Sequence, residues 1–187
     1  MKLRFEPLTS NRWADFERLF GQRGACGGCW CMTPRLSRSE YERNKGEGNR
    51  KAMRALVESG RVPGLLAYLE GEPVGWCSIE PRSSLSSLAR SRILRAVDER
   101  PVWSIVCFFI AKTQRGRGIQ RLLIEKAVEH AAREGADCVE AYPVEPRKSP
   151  MPAVFAYTGI ASAFLQAGFR EVARRSPTRP ILRREVR

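Results

Sequence analysis

Val106-Cys107-Phe108-Phe109-Ile110, followed by Ala111-Lys112-Thr113-Gln114-Arg115-Gly116-Arg117-Gly118-Ile119-Gln120, is the stretch from which the fold is read. Residues 102–110 are β-branched, aromatic and apolar on both faces, the pattern of a strand in the middle of a sheet covered on both sides. Across 118–134, Ile119, Leu122, Leu123, Ala127 and Ala131 recur at helical spacing, and Gly135 supplies a stop. Between strand and helix lies a polar turn. The first backbone N–H groups of a helix have no intrahelical acceptor and carry the positive end of its dipole. Gly116 and Gly118 have no Cβ, so the main chain there can come close to an anion and take positive φ. Arg115 and Arg117 add charge at the rim. This unit asks for a diphosphate beside the end of a central strand. Its spacing matches neither Gly-x-x-x-x-Gly-Lys-Ser/Thr nor Gly-x-Gly-x-x-Gly.

Outward from this unit the chain reads as mixed α/β. Residues 2–8 alternate as a first strand, and 11–20 place Trp13, Phe16, Leu19 and Phe20 on one helical face. A Cys/Gly-rich loop spans 21–37. Ser37 and Glu40 form a capping box for a second helix that breaks near Gly46 and resumes at 49–58. Residues 64–70 and 73–79 flank Gly71-Glu72 as a hairpin. The basic segment 81–101 is an irregular insertion or a short helix over 85–97. A strand over 138–144 and a helix over 159–166 follow. Residues 169–173 and 180–183 form a hairpin within the basic C-terminal stretch 170–187. No repeat or linker divides 1–187, which reads as one domain.

Arg115-Gly116-Arg117-Gly118-Ile119-Gln120 resembles the Arg/Gln-x-x-Gly-x-Gly/Ala signature of the GNAT acetyltransferases, and Phe164-Leu165-Gln166-Ala167-Gly168-Phe169 resembles their Tyr-x-x-x-Gly-Phe segment. The resemblance implies an α/β (α+β) fold with a mixed, splayed sheet of about seven strands and helices on both faces. It implies acetyl-CoA as co-substrate, wedged between strands 102–110 and 138–144, with Arg115 to Gln120 and Phe164 at the cofactor. It also implies that the Phe109 and Ile110 amides face the thioester, and that the acetyl group passes directly to a primary amine. The sequence departs from the pattern twice. Gln120 stands where the family has Gly or Ala, and Phe164 stands where many members carry a tyrosine that protonates the departing thiolate.

An amine attacking a thioester needs a base, a polarised carbonyl and a proton for the thiolate. Glu80, at the end of strand 73–79, and Glu140, on a shared face with Tyr142, are the candidate bases, though each also reads as an ordinary strand-end charge. Tyr142 or Tyr157 could replace the missing phenol. His130 lies late on the long helix and reads as a surface or packing residue. Cys26-x-x-Cys29-x-Cys31 could start a zinc site but lacks a nearby fourth ligand, so no metal is expected. Trp30 and Cys31, with Cys29, could instead shape the acceptor pocket, or the loop could be a glycine-hinged turn that buries them. A nucleophilic cysteine would need a paired base, and none is evident.

Composition bounds the remaining choices. A chain of 187 residues with 43% hydrophobic residues supports a sizeable core, and its net charge of +13 favours an anionic partner. Cys77, Cys107 and Cys138 lie in apolar runs, where reduced thiols behave as small hydrophobes. No signal-peptide pattern or membrane-length apolar run is read, so a cytoplasmic enzyme, monomeric or homodimeric, is expected. Two alternatives stay open: a non-catalytic acyl-CoA-binding module of the same fold, and a nucleic-acid-associated basic protein. The diffuse charge, without interleaved aromatic and basic residues, disfavours the second.

Overall fold

The computed structural model describes residues 2–146 and 153–186. Its strands are β1 (Leu3–Pro7), β2 (Gly64–Leu69), β3 (Glu72–Pro81), β4 (Trp103–Ile110), β5 (Cys138–Ala141), β6 (Arg170–Arg174) and β7 (Pro180–Glu185). They form a seven-stranded sheet in the order β1-β2-β3-β4-β5-β7-β6. Only β4 and β5 pair in parallel, as the strand–helix–strand connection between them requires. All other neighbours are antiparallel.

The sheet splays at its centre. Pairing of β4 with β5 covers Trp103↔Val139, Ser104↔Glu140 and Ile105↔Ala141 and ends there. A register shift in the β3–β4 pairing falls between Ser78↔Cys107 and Ile79↔Ile105, leaving Val106 as the extra residue of a bulge. The strand expected over 138–144 stops at Ala141. Pro143, without an N–H, cannot continue the ladder, and Val144 instead bridges Ile160 in parallel.

Helices α1 (Trp13–Phe20), α2 (Arg38–Arg43), α3 (Glu47–Glu58), α4 (Ser86–Arg90), α5 (Ile119–Arg133) and α6 (Ala161–Gln166) complete the layers. On one face Ile119, Leu123, Ile124 and Ala127 of α5 pack on Leu65, Ala67, Cys77, Ile79 and Phe108. Gly75 lies beneath them, where an added Cβ would stand 3.2 Å from Leu123 and 3.3 Å from Ile119. On the other face Phe16, Phe20, Met53 and Val57 cover Leu66, Tyr68 and Trp76. Trp76 is fully buried, with its ring centroid 5.1 Å from that of Phe16 in an edge-on contact. Burying each such side chain stabilises the fold by about 1.5–3 kcal/mol.

The Ser37–Glu40 capping box is present, and α3 begins at Glu47 behind Gly46, two residues earlier than the sequence suggests. In the insertion, helix is confined to α4 and a single 3-10 turn, not extended over 85–97. The Ser91 hydroxyl accepts from the Leu94 amide at 3.1 Å, a local bond that competes with helix continuation. Among the described residues no helix is long and apolar enough to cross a membrane.

Candidate active site

The turn after β4 leaves main-chain donors and positive charge uncommitted. Gly118 caps α5 at φ 76° and ψ 5°, a left-handed conformation costly for any residue with a Cβ, and no side chain caps the first-turn amides. Gly116 also has φ 76°, and both glycines face open space. Gln114 N–H closes a turn on Ala111 O at 2.8 Å, and Arg115 Nε returns to Ile110 O at 3.1 Å. Arg115 and Arg117 have no carboxylate partner among the described residues, so their charge is available at the rim. From here a cavity of about 650 Å³ runs along the open edge of β4. Phe108 to Ile110, Ala156 and Tyr157 form its walls, and Ala25 and Cys26 close it from the opposite loop.

Two bonds fix the orientation of that edge. Phe108 N–H donates to Tyr157 O at 2.6 Å across the splay, whereas Ala111 N–H donates to Val74 O of β3 at 3.0 Å. Successive strand amides point to opposite sides, so Ile110 N–H faces the cavity side with Phe108, and Phe109 N–H faces β3. By this alternation the Phe109 amide is directed to β3, which corrects the expectation that both the Phe109 and Ile110 amides face the cleft. Phe109 contributes its ring, 5.4 Å from that of Phe20. The segment carrying Tyr157 fills the lower part of the gap, with Val144 N–H on Gly159 O and Ala161 N–H on Val144 O.

Phe164 is not at the cavity. It is fully buried, edge-on to Phe108 and Phe169. A Cβ on Gly159 would meet it at 2.6 Å, so glycine at φ 88° is what admits the ring. Tyr157, 39% exposed, stands in the cavity wall instead. Burial raises its phenol pKa above the usual 10, against the opposing charge of Arg179. The group therefore holds its proton at neutral pH.

The two expected carboxylates are committed elsewhere, and neither lines the cavity. Glu80, with 4% of its side chain exposed, is gripped by Arg35 and Arg61. Arg35 also donates to Ser78 Oγ at 3.0 Å and Cys31 O at 2.8 Å. Glu140 is fully buried, accepting from Arg183 Nε at 2.7 Å and from Arg82 at 3.3 Å, with the Tyr142 hydroxyl on the same carboxylate. Tyr142 also meets Ser104 Oγ at 2.9 Å, and burial drives its phenol pKa upward. These groups tie the insertion and β7 to the sheet.

Trp30 is buried against Phe16 and Phe20 with Arg50 over its ring, and it borders a separate groove. Gly24 is required beneath it, because a Cβ there would lie 2.2 Å from Trp30 Nε1. Cys31 is fully buried and accepts from Trp76 Nε1 at 2.9 Å. Burial opposes its ionisation, but Cys107, Arg35 and Trp76 outweigh it and lower the thiol pKa. Ala25, Trp30 and Cys31 all have positive φ, a concentration of strain typical of functional loops. The part of this loop that reaches the cavity is Ala25 and Cys26, not Trp30 and Cys31. Among the described residues no group of three His, Cys, Asp or Glu side chains is arranged to hold a metal ion.

Acetyl-CoA suits these residues. Uncapped helix amides and two guanidinium groups without a carboxylate partner among the described residues match its diphosphate. Gln114 in the cavity wall has a buried Oε1 without a partner among the described residues, an acceptor that suits the amide N–H groups of a pantetheine arm. Residues 30–156 match the family model for the acetyltransferase (GNAT) family. The chain belongs to that family, and acetyl-CoA is its acyl donor. PaiA N-acetyltransferase from Thermoplasma acidophilum, solved with coenzyme A, is similar over 99% of both chains at 11% identity and TM-score 0.56. A GNAT-family acetyltransferase from Streptococcus pneumoniae is 15% identical over 98% of this chain and 99% of its own, at TM-score 0.56. One from Streptococcus agalactiae is 9% identical over 98% and 95%, at TM-score 0.58. At such identities the likeness is one of fold. Comparison with curated proteins finds no match.

Proposed function

We propose that this protein transfers the acetyl group of acetyl-CoA to a primary amine by direct attack on the thioester. The observation that carries this reading is the single cavity joining the uncapped start of α5 to the open edge of β4. The amides from Gly118 onward, with Arg115 and Arg117, hold the diphosphate. Gln114 and the β4 edge receive the pantetheine arm. Ile110 N–H polarises the thioester carbonyl as negative charge develops on its oxygen, a preorganised donor of the oxyanion kind. The amine adds to the carbonyl carbon and the tetrahedral adduct expels the CoA thiolate. The protonated Tyr157 phenol, on the cavity wall, donates to that sulfur, the role that Phe164 cannot fill, while the adduct's nitrogen loses its extra proton to solvent and solvent returns one to the phenolate. Six free cysteines suit the reducing cytoplasm.

Calorimetry with acetyl-CoA and thiol release against a panel of amines test the reading. Micromolar binding and amine-dependent release are expected. Binding without release for any amine would leave only an acyl-CoA-binding module, and no binding would remove the cradle itself.

A further inference from the structure

Resting on the proposed amine transfer, the cavity also says which amines can react. Among the described residues its titratable side chains are Cys26, Arg115, Arg121 and Tyr157. Arg121 pairs with Glu125 at 3.1 Å, one turn along α5. Both glutamates that could have served as base are locked between arginines outside the cavity. His130 is buried at the other end of α5 against Trp103. From Arg147 to Tyr157 the sequence contains no Asp, Glu or His. A second feature acts in the same direction. Arg179 lies close enough to Tyr157 to oppose the effect of burial on its phenol, donates to Thr158 Oγ1 at 3.3 Å, and has no carboxylate partner among the described residues. A cation entering beside Tyr157 meets like charge and a partly desolvated wall, and both favour the neutral amine over the ammonium.

From this set of side chains we infer that the acceptor is a weakly basic amine, the α-amino group of an amino acid or peptide, and not an alkylamine such as a lysine ε-amine or a polyamine. The acceptor sheds its proton to solvent before attack, because the cavity lining holds no Asp, Glu or His among the described residues to take it. Reference pKa values of roughly 8 for an α-amine and 10.4 for an ε-amine make the neutral fraction at pH 7 about 250 times larger for the former. The greater nucleophilicity of the stronger base offsets part of that ratio, and a net preference of at least about tenfold remains.

The test uses two isomers of one skeleton: Nε-acetyl-lysine amide, with a free α-amine, and Nα-acetyl-lysine amide, with a free ε-amine. Thiol release gives kcat/KM for each between pH 6 and 9, and calorimetry on the same preparation reports acetyl-CoA binding. The expected result is a preference for the α-amine of at least about tenfold at pH 7. The rising limb of each profile should also follow the pKa of the acceptor, moving when a second α-amine of different pKa is used. Equal or faster use of the ε-amine overturns the inference, as does a rising limb fixed at one pH for acceptors of different pKa. Acetyl-CoA binding with neither amine consumed also overturns it and leaves the cradle standing. Failure to bind acetyl-CoA removes the parent reading and this one with it.

Discussion

The carbonyl of Tyr157 accepts the Phe108 amide at 2.6 Å, so the residue that closes the gap beside β4 also lines the cavity. The closing bond is made by main chain and the proposed proton donation by side chain, which lets the two be separated. Tyr157→Phe keeps the first and removes the second. We expect kcat to fall by about 100-fold, the lower end of what a positioned acid contributes, with acetyl-CoA affinity unchanged within about twofold. Because the phenol pKa is raised, the wild-type rate should not decline through loss of this proton until above pH 10. An unaltered kcat in the variant would remove Tyr157 from the mechanism.

Arg115→Glu tests the cradle with little risk to folding, since the exposed guanidinium makes one bond, to Ile110 O at 3.1 Å. Placing an anion beside the diphosphate should weaken acetyl-CoA binding at least tenfold while Tm stays near the wild-type value. Gly118→Trp should weaken binding as much for a different reason, with a lowered Tm. Its φ of 76° strains any side chain, and the open space it faces would be filled. Unchanged affinity in both variants, measured by calorimetry, would place the diphosphate elsewhere.

Residues 102–135 were legible because each step there is local: a two-faced apolar strand, a turn that needs glycine, and a helix with one greasy stripe. Three misreadings have a common origin in long-range contacts. Phe164 occupies the family's tyrosine position, yet its ring is drawn into the core between Phe108 and Phe169, and that depends on Gly159 making room. Glu80 and Glu140 carry chemistry-bearing side chains at strand ends. Their arginine partners are distant in sequence: Arg35 for the first, Arg82 and Arg183 for the second. The Cys/Gly loop was rightly seen as unusual, but which of its residues faces the cavity depends on positive φ at Ala25, Trp30 and Cys31, which no spacing rule announces. Among the cavity-wall residues, Gln114 is marked in the sequence by a polar side chain inside the turn.

Glu140 and Arg183 supply a test that separates scaffold from catalysis. Arg183 reaches Glu140 with Nε at 2.7 Å and Asp98 with Nη2 at 2.9 Å, joining β5, β7 and the insertion. Arg183→Leu leaves Glu140 with Arg82 at 3.3 Å and the Tyr142 hydroxyl, so the loss is that of a charge-assisted hydrogen bond, about 1.5–3 kcal/mol in urea unfolding, whereas the pH profile of kcat/KM for the folded fraction should keep its shape. A profile that loses an ionisation in Glu140→Gln would instead return Glu140 to the chemistry.

His130 gives the fold an acid-sensitive point. It is 8% exposed, edge-on to Trp103 at 5.8 Å between ring centroids, and its Nε2 is buried without a hydrogen-bond partner among the described residues. Desolvation lowers its pKa below the ordinary 6.5, outweighing the attraction of Glu134. The unfolded chain then binds the proton more readily than the folded one. Stability is fully present above about pH 6.5 and declines as pH falls from there toward the depressed folded value. Urea midpoints at pH 7.5 and 5.5 should differ for the wild type. His130→Gln, which cannot take up a proton, should show a smaller difference, the carboxylate contributions being common to both proteins. Parallel curves would mean that the imidazole is as easily protonated in the native state as in the unfolded chain, and that its packing against Trp103 leaves it open to water.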